Sequence, residues 1–426
     1  MKILVIGSGG REHAICWKLK QSPHTSQLYC APGNAGIAEI ATCLEANAND
    51  PASLAALAES IAADLTVIGP EAPLVAGAAK SFRARGLRMV GPTAQAAQLE
   101  GSKIFAKQFM SRHAIPTARF KACDSPSSAR AALESEFKYP VVVKADGLAA
   151  GKGVRIAQDQ FEFEDAINAM MIDKVFGTAG AHIVLEECLS GREASLMIFT
   201  DGRDYKAIVP AQDYKRVNDG DRGPNTGGMG SFSTPRLIDD TALARITREI
   251  VEPALSGMAS EARPFSGVLY TGLMFTNDGP KVIEYNARLG DPETQAVMMR
   301  LDSDLVEILN AIVDSRVGST AITWSEDSSV CVVAASGGYP GEFEKGKVIT
   351  GLDTASSIEG VVLFHAGTKR DESGRVVTSG GRVLGVTARG ATLERARERA
   401  YEAMSEISFE GLHYRTDIAK SRPESS

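Results

Sequence analysis

Nowhere in the 426 residues does an apolar stretch approach the roughly 20 residues that cross a bilayer, so no membrane-spanning helix is expected. The apolar run that opens the chain, residues 1–7, is too short for a signal sequence and passes directly into Gly and Arg. It reads as a first strand, with a cytoplasmic location as the default expectation. Cysteine is scarce: Cys16, Cys30, Cys43, Cys123, Cys188 and Cys331 are scattered, with no C-x-x-C pair and no close Cys/His cluster. That argues against a structural zinc site and reads as buried thiols in a reducing compartment. Basic residues are not in excess. A net charge of -7 argues against a protein that lives on nucleic acid or on an anionic membrane, while leaving room for a local basic pocket for phosphates. There is no internal repeat, no low-complexity tract, and no Ser/His/Asp or Cys/His signature of a side-chain nucleophile.

What is present is an ordinary folding composition, 44% hydrophobic and 23% charged, long enough for two to four domains at roughly 100 to 200 residues each. Residues 1–100 alternate short apolar runs, at 3–6, 27–30, 65–69 and 87–90, with amphipathic helical patterns. That rhythm implies parallel βαβ units and a doubly wound domain. One helix is well marked: Asp50 can cap it, Pro51 suits its first turn, and Leu54, Leu57, Ala58 and Ile61 recur at helical spacing. A helix through Lys103, Phe105, Ala106, Phe109 and Met110 then leads to strands at 140–144, 153–157 and 182–187, a small α+β lobe. Strands are expected at 195–200 and 205–212, followed by a polar connection to about residue 236 with no evident structure. A connection of that length is uncommon inside a compact domain and is usually functional. A helix near 240–259 precedes a hairpin, 267–276 and 281–286, across Asn277-Asp278-Gly279. Beyond 330 come further strands and a helix with Leu393, Ala396, Ala400, Ala403 and Ile407 on one face.

Four clusters carry candidate chemistry. Gly7-Ser8-Gly9-Gly10-Arg11-Glu12-His13 follows the first strand and opens a helix, where backbone N–H groups can hold an anion. Glu12 replaces the third glycine of G-x-G-x-x-G, and the second strand ends without an acid for a ribose diol, so a nicotinamide dinucleotide is not expected. A phosphate-bearing metabolite and a tight turn that binds nothing both remain open here. Second, residues 141–154, VVVKADGLAAGKGV, narrowly miss the P-loop pattern. They suit a glycine-rich hairpin closing over a triphosphate, with Lys144 as a fixed cation. Third, Glu186, Glu187, Cys188 and Leu189 end a strand, with Glu193 beyond, an arrangement for an adenine edge and a ribose diol. Fourth, Glu284 and Asn286 share one face of a strand, two oxygen ligands of the kind Mg²⁺ takes alongside phosphates and water. Arg288 continues that face and could bind a carboxylate or offset charge on a phosphoryl group.

In this order the four clusters resemble the ATP-grasp superfamily, and within it the phosphoribosylamine–glycine ligase (glycinamide ribonucleotide synthetase) family, over essentially the whole chain. The runs that carry the resemblance are GSGGREHA at 7–14, APGNAG at 31–36, GPEAPL at 69–74, KADGLAAGKGV at 144–154, QDYKR at 212–216, GPNTGGMG at 223–230, RLGDPETQ at 288–295 and HAGTK at 365–369. The resemblance implies an α/β and α+β multidomain fold. A doubly wound N-terminal domain would cover 1–101, an ATP-grasp small lobe with its leading helix 102–190, a central ATP-grasp domain 191–327, and a C-terminal α+β domain 328–420. It implies ATP-dependent ligation of glycine to 5-phosphoribosylamine through glycyl phosphate, with Mg²⁺, or Mn²⁺ as an alternative. Only small-molecule partners and a monomer are expected.

Carried over by position, Lys103, Lys144, Gly151 and Lys152 would meet ATP phosphates, residues 186–189 the adenine and Glu193 the ribose. Glu284 and Asn286 would hold the metal. 5-Phosphoribosylamine would lie among Gly9, Gly10, Arg11, Asn34 and Glu71, the loop Asn225, Thr226, Gly227, Gly228, Met229 and Gly230, and Asp291. Arg288, Lys144 and Asp213 would be catalytic, with Arg288 and Asp213 on the glycine side. Two departures stand out: Tyr214 where the family usually shows His, and no acidic metal ligand in 270–274. Other ATP-grasp ligases, a nucleotide sensor without turnover, and a dehydrogenase are the alternatives. Glycine-dependent ADP release separates the first two from the ligase, and nicotinamide cofactor binding tests the third.

Overall fold

The computed structural model describes residues 1–149 and 153–420. The N-terminal region forms a five-stranded sheet in the order Thr42–Cys43, Gln27–Pro32, Lys2–Gly7, Leu65–Ile68, Met89–Val90. Every neighbouring pair in it is parallel. The chain runs outward from Lys2–Gly7 in both directions, so the carboxyl ends of Lys2–Gly7 and Leu65–Ile68 flank a crevice at the point where the strand order reverses. The helix Pro51–Ser60 starts as expected, with the Asp50 carboxylate accepting from Ala52 N at 3.0 Å and Ser53 N at 3.3 Å.

The helix Lys103–Arg112 leads out of this domain, capped by Ser102 Oγ, which accepts from Phe105 N at 3.1 Å. The small lobe beyond it is an antiparallel sheet in the order Phe120–Cys123, Ile183–Glu187, Val141–Ala145, Val154–Ala157. Helices Pro126–Glu136 and Gln160–Ile167 close its own apolar core around Val141, Val143, Phe163 and Leu185.

A second antiparallel sheet, Tyr205–Ala207, Arg192–Thr200, Gly267–Thr276, Gly279–Asn286, forms the floor of the cleft. Its core is continuous with the N-terminal domain: Leu4, Ile6 and Phe109 pack in one cluster with Leu196, Leu269 and Val282. The two domains therefore share one core and form a common base, over which the small lobe projects.

The polar connection after residue 212 is not structureless. Gln212–Asp213 and Gly230–Ser233 pair with each other and extend the C-terminal sheet, with Gln212–Asp213 at its edge and Gly230–Ser233 next to Ser328–Ala335, followed by Arg382–Gly390 and Val361–His365. Between them, Arg216–Asn218 and Arg222–Asn225 make a small hairpin. The strand expected over 205–212 is accordingly two short ones in different sheets, joined by residues 208–211. Periodicity does not reveal the hairpin because polar contacts, rather than apolar burial, hold it. The fully buried Arg415 pairs with Asp221 at 2.9 Å and, through two nitrogens, with Asp417 at 2.7 Å. It also donates to Arg216 O at 3.1 Å, while His413 Nε2 lies 2.9 Å from Val217 O. The helix Leu393–Glu406 covers the C-terminal sheet with Ala396, Ala400 and Ala403, the face its spacing predicts.

Candidate active site

The N-terminal strand ends, the small lobe, the central sheet and the C-terminal sheet enclose a cleft of ≈ 370 Å³. Lys144 lies near the end of one strand of the small lobe and Glu284 on the last strand of the central sheet, far apart in sequence, and both line it. Their elements touch directly, since Lys144 Nζ donates to Ile283 O at 3.2 Å. Lys103 lines the same cavity from its helix, its ammonium donating to Gly147 O at 3.0 Å.

Glu186 is not free to present only its backbone. Its buried carboxylate sits 2.9 Å from Lys144 Nζ and 2.8 Å from Lys107 Nζ, two ammoniums sharing one anion. Lys107 was not anticipated, although it follows Lys103 by one helical turn and the i, i+4 spacing puts both on one face. It also donates to Thr117 Oγ1 at 2.7 Å, and that hydroxyl donates onward to Val282 O at 2.7 Å. Burial and the neighbouring Lys144 hold the Lys107 ammonium down to about 8, against the pull of Glu186. For Glu284, burial would push the carboxyl up, but Lys215, Lys144, Lys103 and Arg288 together draw it down to about 2. This carboxylate is therefore held ionised throughout the neutral range.

Strand alternation explains the neighbourhood of Tyr214. Asp213 and Lys215 line the cleft, whereas the Tyr214 ring turns into the C-terminal core, beneath the Arg415 guanidinium at 4.8 Å, and its hydroxyl accepts from Ala419 N at 3.0 Å. Tyr214, one of the two departures in the sequence, thus does not face the cavity. Lys215 Nζ stands 3.5 Å from both Glu193 and Glu284. Burial, outweighing Lys215, pushes the Asp213 carboxyl up to about 8, with Glu293, Glu193 and Glu284 adding to the rise. Buried Glu293 accepts from Tyr270 Oη at 2.9 Å, so the strand without an acid contributes a phenol instead.

Arg288 faces the cleft with its guanidinium held by Glu71 at 3.2 Å and Glu100 at 2.7 Å. Arg11 lines the same end, its Nε 2.6 Å from Glu12 and its NH1 donating to Leu289 O at 3.2 Å. Glu12 folds back over the turn, accepts from Gly9 N at 2.6 Å, and leaves no room for a Cβ at Gly69. The residue that breaks the dinucleotide pattern thus fills the space between two strand ends. Asn225, Thr226, Gly227 and Asp291 line the cavity. They are tied together by Arg382, another residue the motifs did not reveal, which binds Asp291 Oδ2 at 3.0 Å and donates to the carbonyls of Gly227 and Asp291. Gly228, at φ +111°, packs against Pro292 where a Cβ would collide, which fixes the approach of this loop.

Several expected residues lie outside the lining. Asn34 spends its amide on the carbonyls of Ser8 (2.9 Å) and His365 (2.7 Å), while its oxygen accepts from Gly36 N and Ile37 N. It staples the first turn to the C-terminal sheet. Gly9 and Gly10 form the turn itself, Met229 is buried, and Gly230 begins a strand of the C-terminal sheet. Glu187 accepts from Arg119 N at 2.9 Å, and Cys188 and Leu189 follow its strand without lining the cavity, as does Glu193. Gly151 and Lys152 fall outside the described residues.

Comparison with known proteins covers nearly the whole chain. Residues 1–100 match the N domain of phosphoribosylglycinamide synthetase, 101–294 its ATP-grasp (A) domain, and 329–421 its C domain. A phosphoribosylamine–glycine ligase of Brucella melitensis is 49% identical over 418 residues, which is 98% of this chain and 97% of that protein. The trifunctional purine biosynthetic protein adenosine-3 of Gallus gallus is 48% identical over 420 residues, 98% of this chain but 42% of that longer protein. The crystal structure of a phosphoribosylamine–glycine ligase from Thermotoga maritima superposes with a TM-score of 0.84 at 34% identity, covering 98% of this chain and 100% of that one. A biotin carboxylase domain from Hydrogenobacter thermophilus shares the fold alone, with a TM-score of 0.72 at 17% identity over 97% of this chain and 91% of that one. The chain belongs to the phosphoribosylglycinamide synthetase family and is an ATP-grasp carboxylate–amine ligase.

Proposed function

We propose that this cleft joins glycine to 5-phosphoribosylamine at the expense of ATP, by way of glycyl phosphate. The observation that carries the reading is the convergence of Lys103, Lys144, Glu284 and Arg288, from three parts of the fold, on one cavity. Lys103 and Lys144 supply fixed cations for the triphosphate. A carboxylate oxygen of glycine attacks the γ-phosphorus as the bond to ADP breaks, and Arg288 offsets the charge that develops. The amine of phosphoribosylamine then attacks the acyl carbon, phosphate leaves with the C–O bond electrons, and the amine gives up a proton.

Asp213 and Glu293 offer carboxyls toward the ammonium of glycine. Arg11, Arg382 and the loop 225–227 offer donors for a phosphorylated sugar. The donor set suits Mg²⁺, or Mn²⁺ in its place: an ionised carboxylate at Glu284 and an amide oxygen at Asn286, both hard oxygen ligands on one strand. Such an ion would screen the phosphate charge. The small lobe, projecting over the base, would close on the bound nucleotide and keep water from the acyl phosphate. A sensor that binds ATP without turnover has no use for the full cationic set beside Glu284.

The test is release of ADP and phosphate with glycine and phosphoribosylamine, the latter generated in situ, each omitted in turn. Turnover should require both, and Glu284→Gln should lose activity by about 100-fold or more. Turnover indifferent to either omission, or a fully active variant, defeats the reading.

A further inference from the structure

One carboxylate outside every motif organises the catalytic end of the central sheet. Glu100 belongs to the short helix Gln98–Gly101, between the N-terminal sheet and the helix Lys103–Arg112. Its side chain is only 7% exposed. Oε2 accepts from Ala287 N at 2.7 Å, and Oε1 accepts from the Arg288 guanidinium at 2.7 Å. The Asn286 amide is satisfied only when its nitrogen faces Glu100 Oε1, at 3.0 Å, and Tyr285 O, at 3.2 Å. Three consecutive residues at the end of the strand Gly279–Asn286 thus hang on one anchor.

Two consequences follow from donor and acceptor chemistry. The Arg288 guanidinium, held by Glu100 on one edge and by Glu71 Oε2 at 3.2 Å on another, is fixed in plane as well as in place. The Asn286 nitrogen is committed to Glu100, so its oxygen is turned the other way, and an amide can ligate a hard cation only through oxygen. A carboxylate is required for this, because it accepts at both oxygens. A glutamine would offer a donor at one of them, opposite either Ala287 N or the Arg288 and Asn286 donors.

We propose that Glu100 is a positioning residue that orients the Arg288 guanidinium and turns the Asn286 amide oxygen toward the cleft, an inference that rests on the ligase reading above. Glu100→Gln keeps the size and tests the chemistry. Its kcat falls by about 10- to 100-fold, the usual cost of losing an outer partner of a catalytic group. In an Arg288→Gln background the same change costs less than it does in the wild type, because the part that runs through Arg288 is already lost and only the part through Asn286 remains. Isothermal titration gives a readout free of turnover: ADP binding weakens in the variant when Mg²⁺ is present and is unchanged when it is absent.

A kcat within about twofold of wild type overturns the proposal, as does full multiplicative loss in the double variant or equal ADP binding with Mg²⁺. If Glu100→Gln fails to melt cooperatively, Glu100→Asp, which keeps the charge but shortens its reach, is put through the same comparisons. Failure of both to fold makes Glu100 a folding residue and also overturns it. Absence of glycine-dependent turnover in the wild type counts against the ligase reading alone, since the titration remains interpretable without it.

Discussion

Replacing the buried Lys107 by methionine should leave the protein as stable at pH 7 as before, or more stable. The residue is 2% exposed, and its ammonium shares Glu186 with Lys144 and is held down to about 8 by burial and by Lys144. Against an ordinary lysine near 10.5, that depression means the fold disfavours the charged form by about 3 kcal/mol. Deleting the amine takes one of two ammoniums from Glu186, whose Oε1 already lacks a hydrogen-bond partner, but leaves neither Glu186 nor Thr117 without any partner. Glu186 keeps Lys144 at 2.9 Å, and Thr117 Oγ1 still donates to Val282 O at 2.7 Å. Methionine fills most of the volume with an adaptable thioether.

Lost hydrogen bonds recover part of the gain, so a net stabilisation of about 1 to 2 kcal/mol is expected at neutral pH. The sign with pH is fixed by linkage. Below about 8 the lysine is protonated in both folded and unfolded chains and the full penalty applies. Between about 8 and 10.5 the unfolded chain binds the proton and the folded chain does not, so wild-type stability rises with pH and the advantage of the variant fades. Melting curves of both proteins from pH 7 to 10 measure this. A variant that melts lower at pH 7, or a gap that does not narrow on raising the pH, refutes the reasoning.

Arg415→Met should destabilise the hairpin Arg216–Asn218/Arg222–Asn225 by about 2 to 3 kcal/mol, below the full cost of breaking a buried pair because Asp221 and Asp417 are partly exposed. Hydrogen exchange of residues 216–225 should accelerate while the N-terminal sheet is unchanged, and unaltered exchange would contradict it. Acid should loosen the junction of the first turn with the C-terminal sheet. Burial, with a smaller push from the other imidazole, holds His13 down to about 3, and burial with Arg370 holds His365 down to about 4. Both stay neutral when folded and take a proton when unfolded, so stability falls as pH drops below about 6.5 and continues to fall toward 4. Protonation would also cost the 2.8 Å bond from His365 N to His13 Nδ1. Denaturant midpoints should decline over that window in the wild type and less in His365→Asn.

Sequence carried the architecture where one physical rule acted at a time. Asp50 and Pro51 announce a helix start, the short apolar runs announce parallel strands, and Asn277-Asp278-Gly279 announces the turn of a hairpin that spans Gly267–Thr276 and Gly279–Asn286. The cationic face of the cleft was legible through Lys144 and Arg288, since glycine-rich and charged runs are unusual for packing alone. Glu100, Lys107 and Arg382 were not. Each is a single charge whose partner lies tens to hundreds of residues away, and nothing local separates such a residue from a solvated one. Asn34 shows the converse. It sits in a conspicuous motif, but its hydrogen bonds run to the backbone, so the motif marks a staple between sheets.

The path of the chain through Gln212–Asp213 and Gly230–Ser233 has a practical bearing on dissection. Those strands leave the central sheet for the C-terminal one, where Gly230–Ser233 pairs with Ser328–Ala335 and carries Gln212–Asp213 on its other side, and the chain returns before the helix Asp240–Ile246. A fragment ending near residue 327 would carry them away from their neighbour, exposing an open β edge able to recruit another copy. A fragment beginning there would lack its outermost strands. Neither piece is a self-sufficient module, so fusion partners and affinity tags belong at the ends of the polypeptide, and split-protein designs should cut elsewhere.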